Sequence, residues 1–90
     1  MKALLVPAAV VLAQAAAPAP WKVEFDAICS QTDNAMELSL DELRALVRRC
    51  DKLKPAIEVL PLTERKFYSA RLRSCRELYA FVIETLEKGK

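Results

Sequence analysis

Apolar residues fall at steps of three and four along most of the second half of this chain. Leu43, Leu46, Val47, Cys50, Leu53, Ile57 and Leu60 form one such series, with Arg44, Arg48 and Lys52 on the opposite face. That spacing is one side of an α-helix, with a dry stripe and a wet one. The start is written just ahead of it. Ser39 fits the N-cap, where its hydroxyl accepts a free backbone N–H, and Glu42 stands three residues on to complete a capping box. Leu38 and Leu43 take the flanking positions of a hydrophobic staple, and Asp41 and Glu42 suit the positive end of the helix dipole. Pro55 removes one backbone hydrogen bond, to Asp51, and crowds the preceding turn. The apolar period runs through it, so the expectation is a kinked helix over about 40–59 rather than a break at Lys54.

Leu60-Pro61-Leu62 reads as a turn, and Thr63 as a second N-cap with Glu64 in the first turn behind it. Tyr68, Leu72, Cys75, Tyr79, Val82, Ile83 and Leu86 then recur at helical spacing, and Phe67, Leu78 and Phe81 widen the stripe. This gives a helix over about 64–88, stopped by Lys88 and Gly89. So short a turn makes the two helices antiparallel neighbours. Trp21 to Asn34 is ambiguous between alternating strand and helical face. No other strand is available to pair with it, so a short helix over about 22–31, packed on the hairpin, is expected. The predicted fold class is therefore all-α, an antiparallel helical hairpin with a short N-terminal helix against it.

The first residues change the cellular picture. Lys2 precedes an uncharged stretch from Ala3 to Ala13, and Ala13-Gln14-Ala15 has the small-x-small pattern of a signal-peptidase site. The reading is a signal peptide over 1–15 cut after Ala15, an Ala/Pro linker over 16–20 and a single small helical domain over 21–90. The stretch is too short for a membrane anchor, which needs about 20 apolar residues. The expected destination is the periplasm or the exterior.

Composition removes several functions. The chain has 14 basic and 12 acidic residues, and only Lys2 of these falls in the leader. A balance so near neutrality argues against a nucleic-acid binder, as export does. Histidine is absent and Gly89 is the only glycine. That removes His-based acid–base catalysis, most zinc sites and phosphate-cradling glycine loops. No catalytic residue, cofactor or metal site is assigned, and the expectation is a non-enzyme.

Three cysteines remain. Cys50 and Cys75 are symmetric about the turn and lie on the stripes that should face each other, so an oxidising compartment is expected to join them in a disulfide. Cys29 is then the free thiol, either a small buried residue or a reactive one; its pairing with Cys50 or Cys75 is the alternative. The second helix carries more apolar surface than one partner helix covers. Phe67, Leu78 and Phe81, flanked by Arg71 and Arg73, are therefore the candidate partner-binding residues. The function expected is an exported interaction module that binds an unidentified protein partner or itself as a homodimer. A thiol-redox or sensing protein, with Cys29 exchanging into a Cys50/Cys75 bridge, is the alternative from a different class, and a carrier of a small apolar ligand a third.

Overall fold

The computed structural model describes residues 19–89; the expected signal peptide and most of the linker lie outside them. Three α-helices and one 3-10 helix follow in order. They are α1 (Pro20–Cys29), the 3-10 helix (Thr32–Glu37), α2 (Leu40–Glu58) and α3 (Leu62–Lys88). No strand occurs among the described residues. Helices α2 and α3 pack antiparallel as the hairpin, and α1 and the 3-10 helix lie against it.

The start of α2 follows its sequence signals. The Glu42 amide donates to Ser39 Oγ at 3.1 Å and the Ser39 amide donates to Glu42 Oε1 at 2.9 Å, a complete capping box. The helix runs unbroken through Pro55 to Glu58. Pro55 sits on the exposed side, where water can take the carbonyl that loses its partner.

The start of α3 departs from expectation. Pro61, not Thr63, is the N-cap, and the helix begins at Leu62. Pro61 has φ −55° and ψ 153°, and its carbonyl accepts the first helical bond, from the Arg65 amide at 2.8 Å. Its ring already fixes φ, so no capping hydroxyl is needed to turn the chain into the helix. Likewise α1 begins at Pro20, inside the stretch read as linker, because proline suits the first helical position.

One core joins all four elements. Phe25 and Ile28 of α1 and Ala35 of the 3-10 helix bury against Leu43, Leu46, Cys50, Leu53 and Ile57 of α2. The α3 side of that core is Leu72, Cys75, Tyr79 and Val82. Trp21, Leu38, Val47 and Leu60 pack around it.

Polar contacts set the registry. Arg49 of α2 donates two bonds to Glu24 of α1, at 2.8 and 2.9 Å. Arg76 of α3 donates two to Asp51 of α2, at 2.8 and 3.1 Å. Arg44 meets Glu87 at 2.6 Å, nearer the open end of the hairpin. All are partly exposed and screened by water, so they add little stability, but the two forked pairs, Arg49–Glu24 and Arg76–Asp51, fix geometry.

Candidate functional site

The cysteines pair otherwise than the symmetry argument expects. Cys29 and Cys75 form the disulfide, with Cα atoms 5.7 Å apart, and Cys50 is the free thiol, 1 % exposed. The expected Cys50–Cys75 bridge and free Cys29 are both replaced. Equal distance from the turn fixes only height along the hairpin. Direction around each helix decides the rest, and here it separates the two residues. Cys50 lies beside Asp51, Lys54 and Arg76 along one edge of the α2–α3 seam. Cys75 lies beside Thr32, Arg71 and Leu78 along the other, where the end of α1 arrives.

The end of α1 is held firmly enough to present Cys29. The last four carbonyls of a helix have no partner within it, and all four find one here. Asp26 accepts from the Ser30 amide at 2.9 Å, and Ala27 accepts from Ser30 Oγ at 3.1 Å. Cys29 accepts from Thr32 Oγ1 at 3.1 Å. Ile28 accepts a short bond from the hydroxyl of Tyr79, which crosses the core from α3. Burial is the main reason that hydroxyl titrates above its ordinary value, and nearby Cys50 adds to it. Tyr79 is wholly buried, so this bond is one the fold cannot replace with water. The tyrosine stripe was visible in the sequence, but its burial and its carbonyl partner were not.

At the other end of α1, Tyr68 is the hub. Trp21, Phe25 and Phe67 each meet its ring edge to face, with centroids 4.9 to 5.0 Å away. Lys22 Nζ donates to the Tyr68 hydroxyl at 3.2 Å, which raises the lysine above its usual range.

Of the expected partner-binding residues, four come together and one does not. Phe67, Arg71, Leu78 and Phe81 recur at steps of four, seven and three, so they share one stripe on α3. Phe81 is 63 % exposed, Phe67 53 % and Leu78 37 %. The Arg71 guanidinium lies over the Phe67 ring, 5.6 Å from its centroid, which leaves the other face of the stripe apolar. Ser74 sits between them, also exposed. Arg73 is roughly 200° round the helix from Arg71 and lies with Cys50 at the opposite edge of the seam. It belongs to a different surface.

The chemistry available to the thiol is narrow. Desolvation pushes Cys50 up to about 11 from an ordinary 9.0, against the pull of Arg76 and Arg49. At neutral pH it is a protonated, buried thiol, which is a poor nucleophile and a poor metal ligand. Among the described residues no three Cys, Asp or Glu side chains gather to hold a metal ion. No helix among them is long and apolar enough to cross a membrane. Comparison with protein-family models, with curated proteins and with solved structures finds no match for the chain.

Proposed function

We propose that this chain is an exported, non-enzymatic interaction module, and that the outer stripe of α3 docks a helix of a protein partner or of a second copy. The observation that supports the reading is a set of large apolar side chains left in water after the fold is complete. Phe67, Leu78 and Phe81 stand exposed on one stripe, while α1, α2 and the 3-10 helix bury the neighbouring one. Scattered exposed apolar residues are ordinary, but an aligned row with an arginine over it has the composition of a binding anchor. Helix-face recognition uses this spacing.

Export is supported by the leader-like N-terminus and by the Cys29–Cys75 bridge, which persists in oxidising compartments. Sequencing the N-terminus of the mature protein should return Ala16 as the first residue; an intact Met1 would count against it. The docking surface is tested by placing a photo-crosslinking phenylalanine at position 81, with a control at position 52 on the wet face of α2. Adducts should form from position 81 alone and should fall when Phe67→Ser is added. Equal adducts from both positions would remove the proposal.

The thiol-exchange reading has less support. Cys29 is already bridged, and the remaining sulfur is both buried and protonated.

A further inference from the structure

A ridge of charge runs beside the outer stripe of α3. Lys66, Arg73, Glu77 and Glu84 follow one another at steps of seven, four and seven, which places them along one side of the helix. All four are exposed. Arg73 stands at the outer side of the ridge, toward the α2–α3 seam. The row of Phe67, Ser74, Leu78 and Phe81 lies next to it, with the ridge on the margin away from Arg71. The charges are sorted, because both cations precede Cys75 and both carboxylates follow it. Lys66, Arg73 and Glu77 make no ion pair among the described residues, and Glu84 meets only Lys88, in an open pair at 3.3 Å. The alternation of sign that laces a solvated helix face is absent from this ridge.

We infer that the occupant of the outer stripe is a second copy of this chain, docked antiparallel about a two-fold axis level with Cys75. The inference rests on the docking role proposed above and names its partner. Such an axis turns the second helix end for end and keeps each margin of the stripe against the same margin of its mate. Lys66 and Glu84 are each nine residues from the axis, and Arg73 and Glu77 each two. Every cation of the ridge therefore faces a carboxylate of the other copy, and symmetry forms each pair twice. The same operation brings Phe81 of one copy level with the space between Phe67 and Ala70 of the other. Ala70 and Ser74 are small and exposed, so the two helices approach closely there. A parallel copy would set the ridge against the opposite margin and place Lys66 near Arg71, two like charges. An unrelated helix needs the reverse order of charges, which a second copy already carries. Charges flanking an apolar stripe select partner and orientation in this way.

Sedimentation equilibrium of the purified, oxidised protein should show a reversible dimer. Lys66→Glu with Arg73→Glu makes the ridge wholly acidic, and Glu77→Lys with Glu84→Lys makes it wholly basic. Each double variant should self-associate at least ten-fold more weakly, and an equimolar mixture of the two should recover association to within three-fold of the wild type. Lys52→Glu, on the wet face of α2, should change it less than two-fold. If either double variant loses its helical circular dichroism, Ser74→Arg is read instead; it opposes two arginines at the axis, and at least a ten-fold loss is expected. A photo-crosslinking phenylalanine at position 81, in a mixture of isotopically heavy and light chains, should join the two through residues 67–70. The inference is overturned by a monomer at every concentration, by a mixture that associates no better than its components, or by adducts to residues 78–85 of the second copy. A monomer whose position 81 still forms adducts with a different protein in the native extract removes the second copy and leaves the docking role standing. A monomer that forms none removes both.

Discussion

Helix α3 carries two apolar stripes of similar composition and opposite fate. Leu72, Cys75, Tyr79 and Val82 are buried beneath α1 and α2, whereas Phe67, Leu78 and Phe81, a quarter turn round the same helix, stand in water. Periodicity alone treats them as one wide stripe. The difference lies in what the rest of the chain can cover. α2 fills one side of the seam, and α1, tied at Cys29 and hydrogen-bonded at Ile28, fills the next. The third meets only the edge of the 3-10 helix, where Thr32 lies beside Arg71 and Leu78, and stays largely open. An apolar position states a capacity to bury surface; only the count and length of partner helices says whether the fold itself uses it.

Substitutions on the two stripes should therefore separate stability from binding. The largest effect is expected from the tie that holds α1 over the inner stripe. Cys29→Ser with Cys75→Ser opens a link between residues 46 apart, and the chain-entropy relation puts the loss at about 4 kcal/mol. Chemical denaturation of the oxidised wild type and the double variant measures it, and a loss below about 1 kcal/mol would show that α1 docks without its tie.

The core under the inner stripe, where Cys50 of α2 is buried, should also weaken at high pH. Cys50 titrates at about 11 in the fold against an ordinary 9.0. A raised pKa means that the folded state holds its proton more tightly. The associated stability is complete below about pH 9 and is lost as pH climbs through 11, at most about 2 to 3 kcal/mol. Tyr79 shifts in the same direction. Melting temperatures from pH 8 to 11 should fall less steeply for Cys50→Ala than for the wild type, and parallel curves would remove Cys50 as a cause.

Tyr79→Phe leaves the Ile28 carbonyl without its donor in a dry core and should cost roughly 1 to 3 kcal/mol. Ser39→Ala removes the α2 cap and should cost about 1 kcal/mol. Denaturant midpoints check both. A tyrosine effect no larger than the cap effect would mean that water reaches the Ile28 carbonyl. The smallest effect belongs to the outer stripe, where Phe81→Ser should change stability by about 0.5 kcal/mol or less.

The hairpin was legible because its signals are local. A capping box, a 3.6-residue period and a three-residue connection fix α2 and α3 within a few residues of their observed bounds, and no distant contact is needed to read them. Thr63 misled because a capping hydroxyl and a proline are alternative ways to enter a helix, and the chain uses the proline. The disulfide was not legible from height along the hairpin. Which sulfur Cys75 meets depends on where α1 docks, and that docking rests on Trp21, Phe25, Tyr68 and the Glu24–Arg49 pair, contacts far apart in sequence. Arg73 was grouped with Arg71 through proximity in the chain, whereas two residues along a helix lie on nearly opposite sides of it.

The central claim is that the outer stripe of α3 lies outside the core and, as proposed, serves for docking. Compare the photo-adduct yield from position 81 in the protein with and without Phe67→Ser plus Leu78→Ser, alongside the melting temperature of each form. The account predicts unchanged melting, within the equivalent of about 1 kcal/mol, together with loss of the adduct. A double variant that melts far lower, or one that retains its full adduct yield, would contradict it.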